Sequence, residues 1–179
     1  MKTSLAVCAV LLLATAAGCQ RTQPPTVFGT WKFVPEKSTD LATWRYRQPQ
    51  IQIDSTDAPV RVIVSWMERS QAAFADTFLV EPGGQTRDVP VRSRIWPANW
   101  YMGVLAIENS VRKVSGTWTE RPAGLDLTTE QPVSVSQGDV VLTTHWEYRV
   151  DETTGTLTVR EQRSSRPTPV VMTFTRLED

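Results

Sequence analysis

The feature that most constrains this chain is strict alternation of side-chain character in several segments, because alternate residues of a β-strand face opposite sides of a sheet. One such segment carries Val60, Val62, Val64 and Trp66 on one face. A longer one carries six residues on one face: Val140, Leu142, Thr144, Trp146, Tyr148 and Val150. Shorter examples cover residues 51–53 and 170–175. This pattern is typical of half-buried antiparallel strands.

Residues that favour turns separate these segments, and their spacing indicates how many strands the chain contains. Glycine or proline punctuates the chain at residues 81–84, 136–139, 151–155 and 164–169. Many short strands at this spacing predict an all-β fold, either an antiparallel barrel or a barrel-like sandwich of about eight to ten strands. At most one short helix is expected, capped by Asp40 and carrying Leu41, Trp44 and Arg45.

A short internal repeat allows two interpretations. Gly29-Thr30-Trp31 recurs as Gly116-Thr117-Trp118, and each copy precedes a valine-rich strand that ends in tryptophan. The copies could be two similar halves of one barrel. The spacings between these landmarks differ, which favours independent strands built from the same local pattern.

The amino-terminal residues predict export. Lys2 precedes an apolar run over residues 5–13, and small residues lead up to Cys19. This order defines a secretory signal peptide, predicted here as residues 1–18. The run is shorter than the ~20 apolar residues that a membrane-spanning helix needs.

The residues before Cys19 indicate the state of the chain after cleavage. Ala16-Ala17-Gly18-Cys19 resembles the lipobox of bacterial lipoproteins, and the resemblance implies that Cys19 carries the lipid. Attached acyl chains would hold the protein on a membrane. By its resemblance to Gram-negative lipoproteins, the chain is expected at the outer membrane facing the periplasm, since Gln20 stands where an aspartate would favour the inner membrane. The alternative is ordinary cleavage after Ala16, which would leave a soluble periplasmic protein.

The predicted mature chain has a short tether and one domain. Residues 19–26 contain Pro24-Pro25 and form the tether, and residues 27–179 form a single β-barrel domain. Cys8 leaves with the signal peptide, so no internal disulfide is available.

Composition argues against several classes of function. The 19 basic and 19 acidic residues give no net charge, so nucleic-acid binding is not expected. His145 is the single histidine, which disfavours a zinc site. No Gly-x-Ser-x-Gly motif or phosphate-binding glycine loop occurs. We therefore expect no catalytic residues, no metal and no cofactor.

Seven tryptophans are unusual for a chain of this length. Trp31, Trp66 and Trp146 lie on apolar strand faces, where core packing is the favoured explanation and ligand contact the alternative. Residues 96–102 form a separate aromatic cluster that contains Trp100 and Tyr101. The candidate ligand-binding residues are Trp66, Trp100, Tyr101 and Trp146.

Both ends of the domain resemble small exported lipocalin-like β proteins of bacteria. The opening matches their Gly-x-Trp-Lys strand and Pro-x-Lys-Ser turn at residues 29–38, and the ending matches at residues 146–150, 156–159 and 174–176. The resemblance implies that Trp31 closes the barrel floor beside Arg176. It also implies an interior that can hold a small ligand.

These observations support three functional hypotheses. The first is a non-enzymatic envelope lipoprotein that binds a small apolar ligand or lipid inside the barrel. The second is a structural lipoprotein whose solid barrel holds an envelope protein through residues 96–102. The third and least favoured is a hydrolase of an envelope polymer, which would need two carboxylates within ~5–10 Å of each other.

Overall fold

A computed structural model describes residues 27–39, 48–54, 59–68, 71–92, 105–120 and 123–177. These residues form eleven strands: β1 (Gly29–Phe33), β2 (Gln48–Asp54), β3 (Val60–Glu68), β4 (Gln71–Val80), β5 (Arg87–Pro90), β6 (Leu105–Ala106), β7 (Val111–Glu120), β8 (Ala123–Val135), β9 (Gly138–Asp151), β10 (Thr156–Arg163) and β11 (Val170–Arg176). A single 3-10 turn, Pro35–Lys37, follows β1. The predicted all-β class is confirmed, while the helix expected after Asp40 lies outside the described residues.

The strands form one antiparallel sheet that curls into a nearly closed barrel. Its order is β4-β3-β2-β1-β11-β10-β9-β8-β7-β5, with β6 added beside β8. Most neighbours are also consecutive in the chain. The exceptions are β5 beside β7, β6 beside β8, and β1 beside β11, a pairing that joins the two ends of the domain. No helix in the described part of the chain is long and apolar enough to cross a membrane.

The barrel has two ends that differ in what they contain. We call the end near Gly29, Val60, Val80, Thr156 and Arg176 the floor end, because β1, β3 and β10 begin there and β4 and β11 finish there. The opposite end, called the upper end, holds the starts of β2, β4, β7, β9 and β11 and the finish of β8 and β10. The interior residues nearer each end form the floor half and the upper half.

Alternation along the strands produces the core, as predicted. Leu142, Thr144, Trp146, Tyr148 and Val150 of β9 are all buried. Val140 is the exception in that series, since it is exposed beyond the barrel wall. On the other segments, the predicted inward residues are also buried: Ile51, Ile53, Val60, Val62, Val64, Trp66, Val170, Met172 and Phe174.

Side chains close the seam where the two ends of the sheet meet. Gly116 of β7 leaves no room for a side chain, because a β-carbon there would overlap Cγ1 of Val80 in β4. Further up, Arg112 of β7 donates two hydrogen bonds of 2.7 Å to the carboxylate of Asp76 in β4 and a third to the carbonyl of Thr77. The barrel is therefore closed here by packing and an ion pair.

Candidate functional site

The floor end is filled by a tryptophan that contacts both Val27 and Arg176. Trp31 is fully buried and donates a hydrogen bond of 2.9 Å from Nε1 to the carbonyl of Val27. The guanidinium of Arg176 lies 4.4 Å from the centre of its ring and donates to the carbonyl of Phe28 at 2.6 Å. Gly29 has a φ of 127° and no space for a side chain beside Arg176, which explains the glycine two residues before the tryptophan.

The upper half contains buried charges. Glu161 and Arg163 follow Leu157 and Val159 on the inward face of β10, and both side chains are fully buried. Oε1 of Glu161 accepts from Nε of Arg163 and, at 3.1 Å, from Arg166. Buried charges in proteins need such partners, because desolvation of an isolated ion is very costly.

A row of polar atoms faces the interior from β9. Thr144, Trp146 and Tyr148 occupy successive inward positions, and each presents one buried polar atom: Oγ1, Nε1 and the phenol oxygen. None of these atoms has a hydrogen-bond partner among the described residues. Oε2 of Glu161 and Nε of Arg112 are also buried and also lack a hydrogen-bond partner among the described residues. We call these five atoms the polar row.

The strand register brings together the atoms of the polar row that belong to β9 and β10. Trp146 pairs directly with Glu161 across the β9–β10 ladder, and Thr144 pairs with Arg163. Side chains of directly paired residues lie on the same face of a sheet with their Cβ atoms about 5 Å apart. The atoms of β9 and β10 therefore face one region of the barrel interior.

Electrostatics fix the protonation state of the phenol. Burial, followed by the negative charges of Glu161 and Asp76, raises the pKa of Tyr148 far above its usual value. The hydroxyl therefore remains protonated and able to donate. Burial also lowers the pKa of Arg163 to about 10, although the charge of Glu161 opposes that change. Arg163 is still a cation at neutral pH.

Aromatic rings line the wall beside the polar row. The ring of Phe78 lies with its centroid 6.1 Å from that of Trp146. The guanidinium of Arg112 packs against the same ring of Phe78, 4.2 Å from its centre. This arrangement combines flat apolar surface with hydrogen-bonding groups, which is typical of small-molecule sites.

The predicted site residues fall into different places. Trp66 and Trp146 both belong to the buried core cluster of the barrel. Trp31 and Arg176 lie together at the floor end. Cys19, Trp100 and Tyr101 lie outside the described residues. Arg92 and Leu105, the described residues that flank the aromatic cluster 96–102, belong to the upper end of the barrel.

The sequence reasoning missed the buried charges. Alternation from Leu157 and Val159 already places Glu161 and Arg163 on the same face, so the signal for their burial was present. The contact of Arg112 with Asp76 had no such signal, because 36 residues separate the two and the barrel has to close before they meet.

Other candidates for chemistry lie outside the barrel or in ion pairs. His145 is exposed, and its Nδ1 lies 3.0 Å from the hydroxyl of Thr128. Glu147 pairs with Arg160 on the outer surface at 3.1 Å. Within the described ranges, no cluster of histidine, cysteine and acidic side chains could hold a metal ion.

A surface pocket of about 450 Å³ lies outside the barrel wall near the floor end. It is lined by Glu120, Ala123, Arg149, Val150, Asp151, Glu152 and Thr158. Its position on the opposite side of the wall separates it from the polar row.

Compared with known protein families, the sequence matches no family model. No curated protein matches it either. The resemblance to lipocalin-like exported proteins therefore stays a prediction.

Proposed function

We propose that this protein is a non-enzymatic envelope lipoprotein that binds a small molecule in the upper half of its barrel. The proposal keeps the ligand-binding function expected from the sequence but changes the ligand. The floor half is occupied by its own side chains, including Trp31, Leu157 and Phe174. A ligand therefore has to lie among the polar groups of the upper half, and a purely apolar molecule does not suit them.

The observation that carries the proposal is the polar row. A buried polar group without a partner costs about 1–3 kcal/mol. Folded proteins rarely leave such groups unpaired, and ordered water or a bound molecule completes the pairing where the protein does not. Four such atoms, on β9 and β10, face one region, and three of them belong to alternate residues of β9. This arrangement supports a polar ligand there.

The predicted anchor agrees with this position of the site. Val27, the residue that follows the predicted tether of residues 19–26, is buried at the floor end, where its carbonyl accepts a hydrogen bond from Trp31. Eight residues reach at most about 28 Å when fully extended. An acyl-modified Cys19 would then hold the floor end toward the bilayer, and the upper half would face the periplasm, where a soluble ligand has access.

A blocking substitution tests ligand binding. Protein purified after export would be titrated with two fluorescent probes, 8-anilino-1-naphthalenesulfonate and N-phenyl-1-naphthylamine. Saturable binding of at least one probe is expected, and Thr144→Phe should abolish it because the substitution places a bulky ring beside the polar row. The matched control is Thr158→Phe on the outward face of β10, with circular dichroism to verify folding of both variants.

Two results would contradict the proposal. One is that neither probe binds to the unsubstituted protein. The other is that a folded Thr144→Phe variant binds both probes as well as the Thr158→Phe variant does.

The anchor has its own test. Intact-mass measurement of the exported protein should show a chain that begins at Cys19 and carries acyl groups. Cys19→Ser should move the protein from the membrane fraction to the soluble fraction. An unmodified amino terminus would contradict the lipoprotein part of the proposal and leave the binding part standing.

A structural lipoprotein that holds an envelope partner is the second candidate. The packed interior favours it, since one continuous cluster of buried residues spans ten strands, β1 to β5 and β7 to β11, and includes Trp146 and Tyr148 of the polar row. This candidate predicts that no probe enters the barrel and that the polar row binds only water. Titration with the two probes therefore separates the two candidates.

A further inference from the structure

Four apolar residues form a row on the outer wall of the barrel at its upper end. Each has a buried residue next to it in its strand, so alternation turns its own side chain outward. Pro90 of β5 pairs with Val111 of β7, and Pro132 of β8 pairs with Val141 of β9. The β7–β8 register, continued for two residues past its upper pair, brings Val111 toward Pro132. We call these four residues the outer ridge.

The outer ridge is open to solvent. Val111 and Val141 are 48% and 62% exposed, and Pro90 is exposed as well. The four strands that carry the ridge span about 14 Å, since neighbouring strands lie ~4.8 Å apart. Apolar surface that is rimmed by polar residues is typical of a protein–protein contact.

A charged row borders the outer ridge on its floor side. It consists of Asp88, Lys113, Glu130 and Thr143, which pair in that order across β5, β7, β8 and β9. Asp88, Lys113 and Glu130 are exposed. In the described part of the chain, no ion pair engages Lys113 or Glu130. Their charges are therefore available to a second molecule.

We infer that the outer ridge joins two copies of this protein in a symmetric dimer, whose twofold axis runs along the strands midway between β7 and β8. Rotation about this axis exchanges β7 with β8 and β5 with β9, and it leaves each row at its own height. Val111 then faces Pro132 of the second copy, and Lys113 faces Glu130 of the second copy. Because the axis is twofold, each contact occurs twice. The surface is therefore self-complementary in both apolar character and charge.

The direction of the axis also decides how the two barrels are oriented. An axis along the strands keeps both floor ends on the same side, so Val27 lies at the same end of both copies. The predicted acyl anchors would then enter one bilayer. An axis across the strands also stacks ridge on ridge, but it points the floor ends in opposite directions and separates Lys113 from Glu130 of the second copy. The dimer does not depend on ligand binding in the barrel.

The contact is small, so the dimer should be reversible. A surface four strands wide on a convex wall buries less than the ~800 Å² per partner of a standard interface. We expect a dissociation constant of roughly 1–100 μM. Sedimentation velocity of the purified exported protein across this concentration range should show a monomer that converts to a dimer.

One substitution in the outer ridge tests its role. Val111→Glu places a carboxylate against Pro132 of the second copy and should weaken the dimer about tenfold. The matched control is Thr158→Glu on the outward face of β10, which should leave the dissociation constant unchanged. Thr158 pairs with Arg149, which lies eight residues, or about 27 Å, along β9 from Val141. Circular dichroism verifies that both variants are folded.

Two charge reversals separate contacts between copies from contacts within one chain. Lys113→Glu and Glu130→Lys each set like charges against each other in a homodimer and should each weaken it about tenfold. An equal mixture of the two variants restores both ion pairs between the copies, so it should sediment as a dimer. Repulsion within each chain is the same in the mixture as in the separate samples, so only contacts between chains explain such a difference.

Three results would overturn the inference. The unsubstituted protein stays monomeric throughout, Val111→Glu dimerises as well as Thr158→Glu does, or the mixture of charge variants stays as monomeric as its components. None of these results changes the probe titrations, so a failure of the dimer is distinguishable from a failure of the proposed function.

Discussion

The floor half and the upper half of this barrel are built by the same strands, but among the described residues only the upper half contains buried charges. On β10, Leu157 and Val159 occupy the floor half, and Glu161 and Arg163 occupy the upper half on the same inward face. On β9, Val150 at the floor gives way to Thr144 higher up. Strand alternation therefore determines which side chains point into the barrel. The polarity of those side chains then distinguishes an apolar floor half from an upper half that contains the candidate site.

The largest expected effect compares the same substitution in both halves. Leu157 lies in the main core cluster, and Leu142 lies in a small separate cluster with Val133. Leu157→Ala should lower the free energy of unfolding by about 4 kcal/mol and Leu142→Ala by about 2 kcal/mol, because a cavity in a tightly surrounded site collapses less. Urea denaturation measures both values. Equal losses would mean that the two halves do not differ in packing.

The next effect concerns the buried ion pair. Glu161→Gln removes the carboxylate that compensates Arg163, and breaking a buried pair in this way should cost about 3 kcal/mol. The matched control is Glu147→Gln, which disrupts a pair with Arg160 on the outer surface and should cost less than about 0.5 kcal/mol. A similar loss for both variants would show that the charges of the upper half are effectively solvated.

A smaller effect tests the seam that joins both halves. Gly116→Ala places a methyl group against Val80 and should cost about 1–3 kcal/mol, because overpacking forces neighbouring groups to move. Gly83→Ala, in the turn after β4, is the control, since no atom lies within 4 Å of the added carbon. Thermal unfolding monitored by circular dichroism would compare the two. An unchanged melting temperature for Gly116→Ala would mean that the seam is loose.

The smallest effect lies in the hairpin between β9 and β10 at the floor end. Hydrogen bonds from Thr154 and from the backbone of Thr153 lower the pKa of Asp151. Its contribution to stability is therefore complete above the ordinary carboxyl pKa of 3.8 and is lost as the pH falls through the lowered value. Asp151→Asn should be slightly less stable than the unsubstituted protein at pH 6, and this difference should shrink in acid. If the difference in stability between Asp151→Asn and the unsubstituted protein stayed constant from pH 6 into the acid range, the lowered pKa of Asp151 would be contradicted.

The fold was predictable to a large extent because its signals are local. Alternation identified the buried faces around Val62, Ile51, Trp146 and Met172, and turn residues separated the strands. The candidate site was predictable only in part. For Trp66 and Trp146, core packing was the favoured explanation and ligand contact the alternative, and both lie in the core cluster. The polar character of Thr144 and Tyr148 was treated as part of a core pattern. The importance of these two positions depends on whether each buried hydroxyl has a hydrogen-bond partner. Strand periodicity gives no information about hydrogen-bond partners.

The sequence by itself determined the strands and their inward faces, because both depend on neighbouring residues and on the two-residue repeat of a strand. The export signal of residues 1–18 and the lipid on Cys19 stay predictions from local residues. Only the tertiary structure decided that Arg112 meets Asp76, that Arg176 covers Trp31, and which polar atoms stay unpaired. These contacts join residues far apart in the chain. They exist only once β1 pairs with β11 and β4 comes to lie against β7, because ring closure brings distant side chains into one low-dielectric interior.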